Sequence, residues 1–256
     1  MSWYKDLSAS QAYKYRWPIT VYNSGASGSP NVRITIPTAW DEFWNTVLST
    51  GFDVRFTSHD GLTVLAYERA SWTYASHTAT FDVGAVPAPA AGVAIYWIYW
   101  GQASAADGAG AAVAHALTGQ ISLMRPDPRR TFVYRPSTPA STRPPDTIAK
   151  SANEEILVWV NYAAAIGRRI GVANDRDIYD EAASMIMDVQ IAGATQAAMF
   201  DQSEVIAIGR RTPMIGLWVQ AGTTGSDYTV IGKMTSSEGL IMEHRVRMQV
   251  RTTSEQ

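Results

Sequence analysis

The sequence contains no cysteine, which excludes disulfide bonds and cysteine-ligated metal sites. It also lacks long apolar runs: the clearest one, residues 93–100, is far too short to cross a bilayer as a helix. Residues 1–10 contain Lys5, Asp6 and two aromatic residues but no apolar stretch, so we expect no signal peptide. These absences predict a protein that is made in the cytoplasm and does not enter a membrane.

The net charge is only −2, which argues against a general nucleic-acid-binding protein, because phosphate neutralisation requires concentrated lysine and arginine. The charge is uneven along the chain. Residues 104–150 carry six basic and three acidic groups, whereas residues 1–103 carry six and seven and residues 151–256 carry nine and thirteen. The basic central segment can contact an acidic partner, although charged segments are more often simply solvated.

Prolines and small residues indicate how the chain is divided. Six of the twelve prolines fall within residues 126–145, where their spacing favours extended chain. The preceding stretch, residues 103–119, is rich in alanine and glycine and fits either a short helix or a flexible arm. We therefore predict a first domain at 1–103, an Ala/Gly arm and Pro/Arg-rich linker at 104–150, and a second domain at 151–256. The linker composition also predicts that the two domains do not share a core.

The first domain has the pattern of strands separated by turns. Its apolar and polar residues alternate at period two, most clearly in residues 15–22 and 32–36. Further strands are expected at 53–57, 62–70, 72–83 and 93–101. Residues 38–50 form the one convincing helix, with Thr38 as its N-cap. The strand at 93–101 is apolar on both faces, which is typical of a central strand covered on both sides.

The second domain repeats this pattern. Strands are expected at 155–162, 183–191, 205–209, 214–220, 228–234 and 240–251. Residues 179–187 also fit a helical turn, and that alternative stays open. About seven short strands in about a hundred residues are typical of an immunoglobulin-like sandwich. The fold class predicted for the whole chain is therefore all-β.

Three blocks of the first domain resemble a known family. The blocks YRWPITVYN, DVRFTSHDGLTVLAYE and AIYWIYWG occur in this order within residues 13–103 and resemble an uncharacterised lectin-like β-sandwich family of bacterial surface proteins and phage structural proteins. The matching positions are Tyr15, Arg16, Pro18, Ile19, Asp53, Arg55, Phe56, Asp60, Gly61, Leu65, Tyr67, Glu68, Tyr96, Tyr99 and Gly101. The closing block departs from the pattern at Trp100, where a tyrosine is usual. The resemblance implies a jelly-roll or lectin-like β-sandwich.

The second domain resembles the immunoglobulin-like modules that are appended to phage decoration and tail proteins. The resemblance rests on residues 212–251, while residues 168–204 fit it poorly. The matching positions are Trp218, Gly222, Gly225, Tyr228, Val230, Thr235, Ser236 and Gly239. Together the two resemblances imply a bacteriophage virion protein, made in the host cytoplasm, that decorates the capsid or serves as a head or tail accessory protein. They imply major capsid or tail proteins as partners, no enzymatic activity and no cofactor.

No catalytic or metal site is predicted from the residues. The four histidines lie in different local contexts, without the spacing of a metal site, and no motif places a nucleophile beside a base. Residues 174–181 offer oxygen ligands that calcium prefers, but they lack the ligand spacing of an EF-hand loop and include Arg176. These ligands are Asn174, Asp175, Asp177, Asp180 and Glu181. We expect this stretch to be a solvated loop.

Two candidate binding sites remain. A linker that docks onto other virion proteins can pair its arginines with carboxylates, and the candidates are Arg125, Arg129, Arg130, Arg135 and Arg143. Symmetric self-assembly is also expected, with a trimer as the first guess. The alternative function is a glycan-binding adhesion module on a tail or fibre, because lectin-like sandwiches stack sugars on aromatic rings. Its candidate residues are Trp72 and Tyr74, with Trp3 and Trp40 as further accessible tryptophans.

Overall fold

A computed structural model describes residues 13–25, 31–61, 63–84, 92–111, 114–134, 146–162, 182–209, 214–236 and 239–252. Within these residues the chain is predominantly β-strand, with one short α-helix and a few 3₁₀ turns. The strands form two sheets, one of thirteen strands and one of four. The predicted all-β class is confirmed, and the large sheets are consistent with a sandwich architecture.

The strands are named in chain order. The first eight are β1 (Tyr15–Asn23), β2 (Val32–Ile36), β3 (Arg55–Thr57), β4 (Val64–Leu65), β5 (Tyr67–Thr73), β6 (Thr78–Val83), β7 (Gly92–Trp100) and β8 (Leu117–Gln120). The others are β9 (Thr131–Val133), β10 (Asp146–Ser151), β11 (Ile156–Asn161), β12 (Ala182–Ile191), β13 (Ala194–Thr195), β14 (Ile206–Ile208), β15 (Met214–Val219), β16 (Asp227–Ser236) and β17 (Ile241–Arg251). The large sheet has the order β10-β17-β16-β12-β7-β1-β8-β2-β6-β5, and the small sheet has the order β14-β15-β11-β9.

Strand β7 lies at the centre of the large sheet and belongs to two cores. It pairs with β1 along its whole length, and on its other edge it pairs with β12 at one end and β3 at the other. Successive side chains of a strand face opposite sides of the sheet. Tyr96, Ile98 and Trp100 therefore enter the core of the first half, whereas Val93 and Ile95 enter the core of the second half. The prediction of a central strand covered on both faces is confirmed.

The two halves thus share a sheet and part of a core, and the expectation that they do not is wrong. Val93 pairs with Met185 of β12, and both side chains lie in the second core. Trp17 of β1 makes a second contact by packing against the cluster of Trp159, Ile206 and Ile208 in the small sheet. The composition of the linker could not show this, because the strands that join the halves lie outside it. The exact boundaries at 103 and 150 stay a prediction.

Residues 104–150 are built into the fold wherever the structure describes them, although their composition suggested an arm and a linker. Strand β8 lies between β1 and β2, and β9 and β10 run parallel to β11 and β17. Gly119 of β8 is fully packed: a Cβ there would lie 3.0 Å from side-chain carbons of both Ile19 and Ile34. Glycine serves here as a small residue at a crowded position, although the sequence suggested flexibility.

The predicted helix at 38–50 shortens to α1 (Asp41–Trp44), and its N-cap is Trp40, not Thr38. Beyond the helix, the Leu48 N–H donates to the carboxylate of Asp53, at 3.0 Å, and the chain does not continue as a helix. The apolar face is nevertheless buried as expected, with Phe43 and Trp44 fully enclosed. Tertiary packing has overridden the local helical pattern.

Two further strand predictions change in detail. Residues 72–83 form a hairpin, since β5 ends at Thr73, a 3₁₀ turn follows, and His77 takes a left-handed φ of 53° before β6 begins. Within 182–191 the chain is strand β12, so the helical alternative is wrong for those residues. The other predicted strands agree with the structure to within a few residues, whereas β8, β9, β10 and β13 were not foreseen.

Candidate functional site

The exposed side of residues 121–134 is the best candidate for a docking site, and we name it the connector surface. Met124, Arg125 and Arg129 are exposed on it, and Met124 is 46% accessible. Arg130 is half-buried and its guanidinium bonds the carboxylate of Glu154 at 2.8 Å. Two of the five predicted docking arginines therefore present free heads to solvent, and one is used within the fold. Arg135 and Arg143 lie outside the described residues.

A 3₁₀ turn at Pro128–Arg130 fixes the position of these arginines. The Asp127 carboxylate accepts the Arg129 N–H at 2.9 Å, and the Asp127 carbonyl accepts the Arg130 N–H at 3.0 Å and the Thr131 hydroxyl at 2.7 Å. Pro128 supplies a backbone angle that suits the first position of a helical turn. The backbone below Arg129 is thereby ordered before any partner binds.

Both ends of the connector surface are attached to the body of the protein. At one end the Trp17 indole N–H donates to the Ser122 carbonyl at 2.9 Å, and Trp17 packs against the cluster that contains Trp159, Ile206 and Ile208. At the other end β9 pairs with β11, matching Thr131 with Trp159. The 3₁₀ turn that carries Arg129 lies against β11, and Leu157 of β11 is a half-buried residue on the outer face of the small sheet. Arginines and apolar groups therefore lie side by side.

Sequence reasoning missed the residues that support this surface. Leu157 pairs with Trp218 across β11 and β15, and both are half-buried. The inner neighbours of Trp218, Leu217 and Val219, are completely buried. The period-two pattern of β15 carried this signal, because it separates Trp218 from the inward-facing residues.

The glycan-stacking candidates Trp72 and Tyr74 are used inside the first half. The Trp72 indole N–H donates to the Ser49 carbonyl at 2.8 Å, and the Tyr74 hydroxyl donates to the Trp44 carbonyl at 3.0 Å. Gly51 lies against the Trp72 ring so closely that a Cβ would be 2.8 Å from it. The ring also contacts Phe43, Trp44 and Phe81. Trp72 is therefore a poor platform for a sugar.

The other tryptophans that the sequence analysis considered differ in how well their exposure was predicted. Trp40 is buried, with 4% exposure, and stacks on Phe43, so it is not accessible as expected. Trp97 and Trp100 are completely buried, as their place in the central strand predicts. Trp3 lies outside the described residues.

The motif that supports the first resemblance holds loops on the sheet. The buried carboxylate of Asp53 accepts the N–H groups of Leu48 and Gly101, at 3.0 and 2.8 Å, while burial raises its pKa. The Arg55 guanidinium donates to the carbonyls of Phe52, Val54 and Ala106 at 2.7–2.8 Å. Loop attachment therefore accounts for the aspartate at position 53 and the arginine at position 55, and no ligand is needed to explain them.

The motif of the second half has the same character. Ala221 and Gly222 adopt positive φ angles, and a Cβ on Gly222 would lie 2.9 Å from Val250. The ammonium group of Lys150, whose side chain is fully buried, donates to the Ala221 carbonyl at 2.5 Å. The Tyr228 hydroxyl accepts the Thr223 N–H at 2.9 Å. The Gly-Thr segment is therefore a closing loop of the sandwich, tied down by buried polar groups.

The described residues contain no group of three or more histidine, aspartate or glutamate side chains arranged to hold a metal ion. The acidic stretch 174–181 lies outside them. His115 approaches Asp82 at 3.5 Å, but Arg33 occupies that carboxylate with two hydrogen bonds and holds its pKa below the usual value. No helix among the described residues is both long and apolar enough to cross a membrane.

Comparison with known proteins identifies no family. No protein-family model matches the chain, and no curated protein matches it. A solved structure described as "Anomalous substructure of Titin-A168169" aligns with 94% of this chain and 98% of its own chain, at 9% identity and a TM-score of 0.23. At that TM-score the similarity supports no inference about fold or function.

Proposed function

We propose that the chain is a non-enzymatic structural protein of a bacteriophage virion, which decorates the capsid or serves as a head or tail accessory protein. In this proposal the first half is a lectin-like module and the second half an immunoglobulin-like module. The connector surface binds acidic surfaces of major capsid or tail proteins. The observation that carries the proposal is the pair of exposed arginines, Arg125 and Arg129, on backbone fixed to both halves.

Pre-organisation is what makes this surface suitable for docking. A flexible arm loses conformational entropy when it binds, whereas an ordered turn has already lost it during folding. Arginine also forms paired hydrogen bonds with carboxylates, which adds specificity. The nearby Met124 and Leu157 supply apolar area, so a partner with carboxylates around an apolar side chain fits the surface.

The rest of the molecule is suited to a scaffold in a crowded assembly. The edge strand β5 contains a register shift between Glu68 and Ser71, and Arg69 bonds both the Thr50 carbonyl and Asp107 across that edge. Irregular, charged edges discourage uncontrolled pairing with other sheets. The glycan-binding alternative gains no comparable support, because the polar atoms of Trp72 and Tyr74 are already bonded within the fold.

The first test is quantitative mass spectrometry of purified particles of the phage that encodes the chain, followed by labelling on intact virions. Many copies over the head establish decoration, and a smaller fixed number at a junction establishes a head or tail accessory role. A few copies at a tail tip together with glycan binding favour adhesion. Absence from particles overturns the proposal.

Charge reversal then tests the connector surface. Deleting residues 104–150 is unsuitable because it removes β8, β9 and β10 from the sheets. The variant Arg125→Glu/Arg129→Glu should lower the copy number in particles by about tenfold or more, since like charges then meet across the interface. The matched control Lys14→Glu/Arg251→Glu changes two exposed basic residues elsewhere and should leave incorporation unchanged. Equal incorporation of both variants contradicts docking by this surface.

A further inference from the structure

The outer face of the second half carries an apolar corner that the docking proposal does not use. Three large hydrophobic side chains are more exposed there than the others among the described residues. They are Ile186 of β12 at 53%, Leu240 just before β17 at 54%, and Ile241 of β17 at 57%. Lys233 of β16 and Glu243 of β17 lie between them and are also exposed. We name these five residues the corner surface.

The strand register places four of these residues, all except Leu240, on one face. Ile186, Lys233 and Glu243 form one row across β12, β16 and β17, and Thr235 pairs with Ile241 in the adjacent row. Directly paired residues point to the same side of a sheet. The alternate residues Met234 and Met242 are completely buried, so the corner surface faces outward.

We propose that the corner surface binds a second copy of this chain, face to face, around a two-fold axis. The axis runs along the strands, midway between β16 and β17. Because Lys233 and Glu243 are register partners, such an axis brings Lys233 of each copy opposite Glu243 of the other. The surface is therefore complementary to itself in charge, which is the requirement for a two-fold interface.

The apolar residues fit the same arrangement. Around this axis Ile241 of one copy lies opposite Thr235 of the other, which offers a methyl group. The contact therefore removes Ile241 of each copy from water. Elsewhere on the face, Arg247 is already bonded to Asp227 within the chain, so that region has less to gain from a partner. Glu243 accepts a bond from Arg245 at 2.6 Å and keeps acceptor capacity for a second cation.

The size of the corner surface predicts weak association. Five residues on each copy cover less area than the 20–30 residues a side of a standard stable interface, as a rough guide. We therefore expect a monomer–dimer equilibrium at high protein concentration. The contact becomes effective when many copies are held close together, as in a multivalent assembly. It does not depend on the proposed virion role.

The test is sedimentation equilibrium of the full chain over a wide concentration range. The wild type should approach the dimer mass. The variant Ile186→Ser/Ile241→Ser should raise the dissociation constant by about tenfold or more, whereas the matched control Phe52→Ser/Val64→Ser should not. All four sites are exposed, so thermal melting should confirm that the variants fold. A monomer at every concentration, a trimer, or equal behaviour of the two variants overturns the proposal.

A charge exchange sharpens the result. Lys233→Glu and Glu243→Lys should each weaken the dimer, because like charges then meet across the axis. The double variant Lys233→Glu/Glu243→Lys should restore it, since opposite charges meet again. A double variant as weak as the single variants contradicts the two-fold arrangement. Particle incorporation is measured separately, so failure here leaves the virion proposal standing.

Discussion

The two cores of this protein are built from different side chains. The first core is aromatic, with fully buried Phe43, Trp44, Phe56, Phe81 and Trp100. The second core is aliphatic and rich in methionine, with buried Met185, Met187, Met234, Met242 and Met248. Aromatic rings have preferred packing geometries, and a tryptophan also carries a polar N–H, whereas methionine is flexible and fills irregular space.

That difference shows in how each core holds its loops. In the first half the indole N–H groups of Trp44 and Trp100 bond the Pro37 carbonyl and the Thr46 hydroxyl, at 3.0 and 2.8 Å. The buried methionines offer no such donors. The second half instead ties its closing loop through Lys150 and Tyr228. Some core side chains of the first half therefore also hold loops, whereas the buried methionines of the second half contribute to packing alone.

Replacement by leucine in each core should give the largest contrast. Trp100→Leu should lower the free energy of unfolding by about 3–4 kcal/mol, because it removes a buried ring and its bond to Thr46. Met248→Leu should cost less than about 1.5 kcal/mol, because the volume is nearly conserved. Urea denaturation of both variants measures the difference, and equal losses contradict the contrast between the cores.

Following the urea denaturation of Trp100→Leu with two different probes also tests whether β7 couples the two halves. Tryptophan fluorescence reports mainly on the first half, and methionine methyl resonances report mainly on the second. Because β7 places Val93 and Ile95 in the second core and Trp100 in the first, Trp100→Leu should shift both transitions together. A shift in fluorescence alone means that the halves unfold independently.

Arg55 should give the next largest effect. Arg55→Met leaves the carbonyls of Phe52, Val54 and Ala106 without a donor and should cost about 3 kcal/mol. Arg55→Lys keeps the charge and some of these bonds, so it should cost less. Thermal melting at fixed pH measures both variants. Similar losses for the two variants contradict the role of the forked guanidinium, since a lysine cannot reproduce its geometry.

The sequence predicted strands better than it predicted their connections. Period-two alternation located β1 and β2, because burial of one face of a pleated sheet imposes it directly, and a continuous apolar run located β7. The position of β8 could not be read from residues 117–120, because Gly119 is chosen for the crowded space beside Ile19 and Ile34. Such a choice depends on residues that are distant in sequence. The same reason hid the pairing of β7 with β12.

The candidate site was predicted in part. Charge composition pointed to the arginines, and Arg125 and Arg129 are exposed. Composition could not show that Arg130 is bonded to Glu154, because that contact depends on how β9 lies beside β11. The sequence also could not show how the aromatic candidates are held. Trp72 and Tyr74 lie near each other in sequence, but both bond carbonyls around α1, which no local pattern reveals.

Replacing the buried Lys150 should have the smallest effect on the free energy of unfolding. Its pH dependence distinguishes this effect from those of the other replacements. Burial lowers the pKa of its ammonium group below the usual lysine value of 10.5. Between the lowered pKa and 10.5 the unfolded chain binds more protons than the folded chain, so the free energy of unfolding rises with pH there. Lys150→Met should remove that slope and change stability at neutral pH by only about 1 kcal/mol.

Urea denaturation of the wild type and Lys150→Met at several alkaline pH values measures this slope as a difference between the two proteins. Exposed Lys14→Met is the matched control and should follow the wild type. Lys150 donates to the Ala221 carbonyl and the exposed Lys14 does not, so of the two replacements that of Lys150 should also loosen the closing loop, which hydrogen exchange at Gly222 reports. If the free energy of unfolding depends on pH in the same way in the wild type and in Lys150→Met, the ammonium group of Lys150 is not buried. Of the two groups that hold the closing loop, Tyr228 is then the one that remains.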